Sequence, residues 1–185
     1  LNHKNAFTFI HENKAQFKTL SRQNLEEVHA LLVKDLSVST GLRKKPVGIL
    51  GSKYKPLDNL YQITDAVEAL AHAVLKMEAP YAKALIALLG ISYIQPFEDG
   101  NKRTSRLMAN ALLMAHNCAP LSYRSVDEAD YREAMLVFYE LNSLISRVNP
   151  KLQQDQFAYD GLNRLITHMN AAGGETAFEY NKRSD

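Results

Sequence analysis

The chain of 185 residues has no tryptophan and a single cysteine, Cys118. One thiol excludes a disulfide scaffold within the chain, and the lack of a secretory start favours a reducing, cytoplasmic location. Long apolar runs are also missing, since the longest nearly uncharged stretch covers the 14 residues 84–97. A transmembrane helix needs about 20 such residues, so we predict no membrane-spanning segment and interpret this stretch as a buried helix.

Glycine and proline are scarce, with eight and six residues, and neither a repeat nor a Pro/Gly/Ser-rich linker divides the sequence. The charges nearly cancel to a formal +2, while 46% of the residues are hydrophobic. This composition excludes a mainly disordered chain and is typical of a globular protein. We predict one domain over residues 1–185, with a core spanning residues 20–150 and flanking helices at both ends.

Apolar residues recur at helical spacing along most of the chain, which predicts an all-α fold, a compact helical bundle. Ser21 is a candidate N-cap for one helix, and Pro80 fits the first turn of another. The helix after Pro80 is apolar nearly all round, which predicts a central, enclosed position. The first predicted helix begins after Ser21. The other predicted helices cover residues 58–77, 80–94, 103–116, 127–146 and 154–170.

Residues 40–56 do not fit a helix, because three glycines and two prolines interrupt them. Val47, Ile49 and Leu50 favour an extended backbone, so we predict a short β-hairpin or extended flap, with a plain surface connection as the alternative. The segment is strongly basic, which is typical of a solubilising edge but also fits an acidic target. No reading helix or aromatic platform indicates nucleic-acid binding. Its basic residues are Arg43, Lys44, Lys45, Lys53 and Lys55.

Residues 95–106 read Gln-Pro-Phe-Glu-Asp-Gly-Asn-Lys-Arg-Thr-Ser-Arg and join the apolar helix to an amphipathic one. Gly100 and Asn101 tolerate backbone conformations that turn successive N–H groups into a nest. The nest opens onto the start of the next helix, whose dipole also favours negative charge. These residues are typical of an anion site, although a simple turn has the same composition.

Charged side chains surround this turn. Arg103 and Arg106 lie three residues apart on one side of the predicted helix, so both can reach phosphate oxygens. Asp99 supplies a hard oxygen ligand suited to a Mg²⁺ ion that bridges phosphates. The alternative is that the arginines form a solvated helix face.

The stretch resembles the signature of the Fic (Fido-fold) family, which reads His-x-Phe-x-(Asp/Glu)-Gly-Asn-(Gly/Lys)-Arg-x-x-Arg. Residues 47–56 resemble the family's flap, and the Tyr-Arg-Glu-Ala-Met-Leu run from Tyr131 is similar to a helix that closes the nucleotide pocket. The resemblance covers residues 5–170 and implies a helical bundle of the Fic type with one β-hairpin flap. The signature residues that match are Phe97, Asp99, Gly100, Asn101, Lys102, Arg103 and Arg106.

Fic enzymes transfer AMP from Mg-ATP to a hydroxyl side chain of a target protein. The resemblance therefore implies ATP and Mg²⁺ as cofactors, and a target protein that presents a Ser, Thr or Tyr hydroxyl. The flap would add a strand of that target to its own edge. The implied roles are Asp99 for Mg²⁺, Gly100, Asn101 and Lys102 for the anion hole, Arg103 and Arg106 for the outer phosphates, Tyr131 for the nucleotide pocket, and Val47, Gly48, Ile49, Leu50 and Gly51 for the flap.

Gln95 stands where the family places its catalytic histidine. That histidine accepts the proton of the attacking hydroxyl, whereas a glutamine amide has no useful basicity. We therefore expect phosphate and Mg²⁺ binding to survive while AMP transfer is weak or absent. Of the six histidines, none lies near this segment in sequence, and His29 and His72 are interpreted as packing or surface residues.

Three questions stay open from the sequence. Lys102 also occurs in Doc-type relatives that transfer phosphate, but Arg106, which those relatives lack, favours AMP transfer. A non-catalytic nucleotide- or phosphate-binding module is the other alternative. The family is often silenced by an inhibitory segment or an antitoxin, and residues 8–13 match the loose pattern (Ser/Thr)-x-x-x-Glu-(Gly/Asn) with Glu12. Such a loose pattern arises easily by chance, so a packing helix whose Glu12 faces water is the favoured interpretation.

Overall fold

The computed structural model describes residues 1–145, 156–159, 165–169 and 175–177. They fall into two compact units. The first unit combines Leu1–Leu50 with Lys55–Val126, and the second combines Gly51–Tyr54 with Asp127–Asp185. The expectation of a single domain over 1–185 stays a prediction.

Helices dominate the first unit, as the sequence predicts. Short 3₁₀ turns occupy Lys14–Lys18 and Tyr123–Ser125. The α-helices of this unit are α1 (Asn2–Glu12), α2 (Arg22–Val33), α3 (Leu60–Lys76), α4 (Pro80–Ile94) and α5 (Asn101–Ala115).

The predicted helix starts are confirmed by capping geometry. The Ser21 hydroxyl accepts a hydrogen bond from the N–H of Asn24 at 3.1 Å and begins α2. Asn59 caps α3 in the same way, through the N–H of Tyr61 at 2.8 Å. Pro80 is the first residue of α4, where a missing N–H costs no helical hydrogen bond.

The central helix of the first unit is α5 rather than α4. Twelve of the 15 residues of α5 are buried, and it packs against α1, α2 and α4. The apolar α4 was predicted to be enclosed, and this is wrong for one of its faces, since Tyr81 and Leu85 are 57% and 55% exposed. Residues four apart share a helix face, so the exposed positions form a stripe that the uniform apolar composition hides.

The second unit contains α6 (Glu128–Ile145) and three short strands, β1 (Gln156–Tyr159), β2 (Leu165–Met169) and β3 (Glu175–Ala177). The strands pair antiparallel in the order β1-β2-β3. The predicted helix over 154–170 is therefore wrong. The segments contain aromatic and β-branched residues, which have a high propensity for strands, and this propensity outweighs a weak helical period.

Contacts within the second unit join residues 51–54 to α6. The Ser52 hydroxyl and the Lys53 N–H donate to the Glu140 carboxylate at 2.6 and 2.8 Å, and the hydrogen bond from Ser52 is the main reason that the pKa of Glu140 is lowered. The rings of Tyr54 and Tyr139 stack with centroids 6.1 Å apart.

The flap segment is not a ladder of paired strands. Residues 40–58 contain no strand, and the chain turns at Leu50 and Gly51, where Gly51 has φ +87°. The predicted β-hairpin is thus wrong, and the flap is a connection without strand pairing. Proline at position 46 and glycines at 48 and 51 weaken strand pairing, which explains the lack of a paired strand.

A buried arginine fixes both ends of this flap. Arg43 is 1% exposed, and its own N–H donates to the carbonyl of Pro96 at 2.9 Å. Arg43 was predicted as part of an exposed basic edge, which is wrong for this residue. Its guanidinium instead donates to four main-chain carbonyls, those of Gln95 (2.6 Å), Lys45 (2.9 Å), Ile94 (3.4 Å) and Leu57.

These four carbonyls stabilise the positive charge of the guanidinium. Ile94 and Gln95 lie at the carboxyl end of α4, where the unpaired carbonyls carry partial negative charge. Lys45 and Leu57 lie on the two sides of the flap. One planar guanidinium group therefore connects the flap to the loop that follows α4.

Among the described residues, no helix has the length and apolar character needed to cross a bilayer.

We predict that Arg43→Met lowers the free energy of unfolding by about 3 kcal/mol, because the thioether retains the apolar stem but leaves buried carbonyls unpaired. Urea unfolding followed by circular dichroism measures the change. The neighbouring Lys44→Met is the matched control, since Lys44 is exposed and its replacement is expected to cost less than about 0.5 kcal/mol. Equal midpoints for the two variants would contradict the role of Arg43.

Candidate functional site

The loop between α4 and α5 is shaped by two residues in the left-handed region. Gln95 ends α4 with φ 51° and ψ 60°, and Gly100 precedes α5 with φ 81°. Positive φ is strained for a glutamine and unstrained for a glycine. A Cβ at position 100 would lie 3.6 Å from the ring of His29, an ordinary contact, so the positive φ rather than the space favours glycine here.

Asn101 closes this loop with its own side chain. Its Oδ1 accepts from the N–H of Phe97 at 2.9 Å, and its Nδ2 donates to the carbonyl of Phe97 at 2.8 Å. Both amide ends are therefore used inside the loop, and Asn101 is buried. Asparagine at this position has a structural role, and only its backbone amide is available to a ligand.

His29 of α2 packs against the loop between α4 and α5. Its ring stacks on Phe97 with centroids 3.7 Å apart and an angle of 3° between the planes. Its Nε2 lies 3.0 Å from the carbonyl of Asp99, and since a carbonyl can only accept, Nε2 carries the proton. Burial lowers the pKa of His29, which keeps the ring neutral.

His29 was predicted as a packing or surface residue, and the structure makes it a packing residue that also binds the signature loop. Leu25, Val28 and Leu32 form the buried stripe of α2 that holds it. The spacing of these apolar residues was the signal available in the sequence, because it places position 29 on the buried face of α2. The hydrogen bond to a loop 70 residues away had no signal in a single sequence.

A cavity of about 420 Å³ lies between the loop, the start of α5 and the flap. Its volume falls in the range of small-molecule sites. Nearly all residues predicted for the site line it together. They are Val47, Gly48, Ile49, Leu50, Gln95, Asp99, Gly100, Asn101, Lys102, Arg103 and Arg106, with Glu98 in addition.

The start of α5 is open toward a ligand. No side chain caps this helix at Gly100, although α2 and α3 both carry capping side chains. The N–H groups of the first turn have no carbonyl partner within a helix, so a 15-residue helix presents free donors and the positive end of its dipole. This arrangement is suited to an anion.

Charged side chains extend this positive end. Arg103 is half-exposed and lies 3.4 Å from the Asp99 carboxylate, a long and weak ion pair. Lys102 is exposed, and Arg106 lies over the ring of Tyr123 with its guanidinium carbon 5.7 Å from the centroid.

The side chain of Gln95 is turned back toward its own helix. Its Nε2 donates to the carbonyl of Ser92 at 2.6 Å, and the residue is only 7% exposed. Its amide oxygen can accept a hydrogen bond but does not bind a proton at neutral pH. The residue therefore lines the cavity without supplying a base.

Two carboxylates line the cavity and supply hard oxygen ligands. Asp99 is exposed, and Glu98 accepts a hydrogen bond from the Ser39 hydroxyl at 3.2 Å. No cluster of three or more His, Cys, Asp or Glu side chains occurs among the described residues. A cation here would thus need oxygens from a ligand as well, which is typical of Mg²⁺ bound together with phosphates.

A second cavity of about 340 Å³ shares Arg106 with the first. His3 and Phe7 of α1, together with Tyr123, contribute to its lining. Partial burial, followed by the charges of Arg106 and Arg103, lowers the pKa of His3. His3 is thus the second histidine that folding brings near the signature, and its position was not predicted.

Glu12 is the last residue of α1 and is exposed. The ion pairs in the described part of the chain are Arg22–Glu26 and Arg103–Asp99, so neither involves Glu12. His3, at the opposite end of α1, is the residue whose pKa Arg106 influences. The inhibitory interpretation of residues 8–13 stays a prediction.

Two predicted residues lie outside the cavity lining. Gly51 and Tyr131 belong to the second unit, where Tyr131 is in the first turn of α6 and its N–H donates to the Asp127 carbonyl at 3.0 Å. Their assigned roles stay predictions.

We predict that the stability contributed by His29 is lost in acid. Since folding lowers its pKa below the ordinary 6.5, the unfolded chain takes up a proton first, and this contribution is present above pH 6.5 and falls below it. His29→Phe retains a stacked ring without titration. The free energy of unfolding is measured by chemical denaturation between pH 8 and pH 5. At pH 8 we expect the variant to be about 1 kcal/mol less stable than the unaltered chain, because it lacks the hydrogen bond to Asp99. The difference between the two proteins is expected to shrink as the pH falls. Parallel pH curves would contradict this.

Known proteins resemble this chain both in sequence and in fold. The chain is 43% identical over 54 residues to the protein adenylyltransferase Fic of Nematostella vectensis, a match that covers 29% of this chain and 13% of that protein. The fold is similar to a Fic domain-containing signaling protein from Bacteroides thetaiotaomicron, with TM-score 0.59 and 18% identity over 81% of this chain and 58% of that one.

Fic-1 of C. elegans (residues 134–508) is also similar, with TM-score 0.55 and 19% identity over 74% of this chain and 43% of that one. The chain thus spans a small part of the relative in Nematostella and about half the length of these solved structures. The model of the Fic/DOC family matches residues 19–113, which is more than half of the sequence. The chain therefore belongs to the Fic/DOC family.

Proposed function

We propose that the chain is a Fic-type protein adenylyltransferase domain that binds Mg-ATP in the cavity at the start of α5 but transfers AMP slowly. The observation that carries this proposal is the uncapped N-terminus of α5, which opens into a cavity lined by Arg103 and Arg106. Free backbone amides and two guanidinium groups on one helix end are suited to a polyphosphate. Membership in the Fic/DOC family supports the reaction class.

Asp99 would hold the metal ion. Its carboxylate lies beside the start of α5 and only weakly engages Arg103, so it is accessible to a cation. Mg²⁺ prefers oxygen ligands and, when bound, neutralises charge on phosphate oxygens. The His29 hydrogen bond fixes the carbonyl of the same residue and thereby orients it.

The residues of the first turn would bind the phosphate chain. The amides of Gly100, Asn101 and Lys102 would form an anion hole, and Arg103 and Arg106 would contact the outer phosphates. Stabilising charge that develops on the leaving phosphates is the largest part of catalysis in phosphoryl transfer. This part of the machinery depends on backbone and arginine groups rather than on position 95.

Gln95 accounts for the slow transfer. The attacking hydroxyl of a target Ser, Thr or Tyr must lose its proton, and the amide of Gln95 does not accept it at neutral pH. Of the histidines that folding brings near the signature, His29 is buried and engaged with Asp99, and His3 lines the second cavity. Neither lines the cavity that contains Gln95.

The flap would hold the target. Val47–Leu50 line the cavity, and among the described residues their backbone groups make no hydrogen bond. An open extended edge can pair with a target segment by β-augmentation. Binding through the main chain would place a target hydroxyl over the phosphates with little dependence on target sequence.

We predict that Gln95→His increases AMP transfer about 10²–10⁴-fold, because it restores a general base with a pKa near neutrality. Histidine also tolerates the positive φ of this position. The measurement is transfer of label from α-³²P-ATP to protein, with mass spectrometry to locate the adduct. Gln95→Asn is the matched control, since it tolerates the same backbone without becoming basic. Equal and robust transfer by the unaltered chain would contradict the prediction.

We further predict that Arg103→Ala and Arg106→Ala each weaken Mg-ATP binding about tenfold or more, because each would remove charged hydrogen bonds to the phosphates. Isothermal titration calorimetry with ATP and AMP measures the change, and AMP is expected to respond less. Arg22→Ala removes an exposed arginine of α2 and is the control. Unchanged ATP affinity in both variants would refute the proposed phosphate site.

The Doc-like alternative has one specific observation in its favour. Lys102 is exposed and lines the cavity where the family often has glycine, so its side chain narrows the space beside the anion hole. A phosphotransferase would transfer label from γ-³²P-ATP and not from α-³²P-ATP. Binding of nucleotide with no product from Gln95→His in either assay would identify a non-catalytic binding module instead.

A further inference from the structure

The flap carries positive charge beside a segment whose backbone is unpaired among the described residues. Val47–Leu50 form no hydrogen bond with other described residues, and Leu50 is 93% exposed. Four residues paired as a strand span about 13 Å, which sets the length of the target segment that they can hold. Main-chain pairing alone would accept almost any extended segment, so selectivity must come from side chains beside Val47–Leu50.

Those side chains are lysines. Lys44 and Lys45 precede Val47–Leu50 and Lys55 follows it, and all three are exposed. No acidic residue interrupts residues 40–57, while the chain as a whole has nearly equal numbers of acidic and basic residues. The excess of positive charge is therefore a local property of the flap.

Among the residues that the structure describes, no ion pair contains Lys44, Lys45 or Lys55. The ion pairs in the described ranges are Arg22–Glu26 and Arg103–Asp99. Of the carboxylates that line the cavity, Glu98 accepts from Ser39 and Asp99 contacts Arg103. Arg43 differs from the lysines in being buried and bound to carbonyls, so it serves the fold.

We propose that the flap selects acidic target segments, with Asp or Glu at both ends of the stretch that pairs with Val47–Leu50. This inference rests on the proposed function, because it names the class of target for the same site. Positive potential on an exposed edge raises the local concentration of acidic partners and excludes basic ones. Each exposed ion pair contributes a factor of about two to five, so three lysines give about tenfold or more.

The experiment compares three fluorescein-labelled peptides with one central Thr and the same β-forming core, flanked by Asp/Glu, by Asn/Gln or by Lys. Fluorescence anisotropy measures their binding to the full chain, which avoids dependence on catalysis. We expect the acidic peptide to bind about tenfold more tightly than the neutral one at low salt, and the difference to fall below about threefold at 0.5 M salt. Equal affinities for acidic and neutral peptides would overturn the proposal, as would no binding of either.

Lys44→Glu/Lys45→Glu is expected to reverse the preference, so that the Lys-flanked peptide binds best. Lys4→Glu/Lys14→Glu introduces the same change of charge at exposed positions outside the flap and is expected to preserve the original order. Loss of the preference in both double variants would overturn the proposal, because net charge rather than the flap would then be responsible.

A single-stranded oligonucleotide with the same net charge as the acidic peptide tests whether the flap binds nucleic acid instead. Tighter binding of the oligonucleotide, with displacement of the acidic peptide, would overturn the proposal in favour of nucleic acid. Calorimetry with Mg-ATP on the same preparation separates the two hypotheses. ATP binding without acidic preference refutes the flap inference alone, whereas acidic preference without ATP binding supports it and refutes the proposed nucleotide site.

Discussion

The buried guanidinium of Arg43 is the contact on which the geometry of the site depends. A charge that is 1% exposed must be compensated, and here main-chain carbonyls from both sides of the flap and from the end of α4 do so. Their carbonyls converge because the chain at Gln95 turns into the left-handed region. Flap and loop are therefore fixed by one group, and the cavity between them has defined walls without a strand ladder.

The loop itself divides its polar groups between structure and ligand. Three carbonyl oxygens of the loop accept hydrogen bonds from inside the fold. The carbonyl of Gln95 accepts from Arg43, that of Phe97 from Asn101, and that of Asp99 from His29. With those oxygens bound inside, the backbone amides at the start of α5 are left without a cap. The hydrogen bond to the Asp99 carbonyl acts on the proposed anion site directly, since that carbonyl shares its peptide unit with the N–H of Gly100, and a peptide unit held by its oxygen cannot rotate its N–H away.

The sequence predicted what is local and missed what is brought together from a distance. Helix starts at Ser21 and Pro80 follow from side-chain chemistry within one turn, and so does the loop at Gly100. The roles of Arg43 and His29 depend on partners 52 and 70 residues away, for which a single sequence has no signal. The error over 154–170 has another cause, because short amphipathic segments fit helix and strand patterns about equally.

The proposed loss of the base and retention of the phosphate site are physically separable. Binding at the start of α5 depends on amides fixed by Asn101 and His29, and neither contact passes through the side chain of Gln95. The Gln95 amide donates to the carbonyl of Ser92 within its own helix, so replacing this side chain removes one hydrogen bond and leaves the contacts of Asn101 and His29 in place. A site of this construction can exchange catalysis for binding by one substitution, because the part that holds charge is backbone and the part that moves a proton is a single side chain.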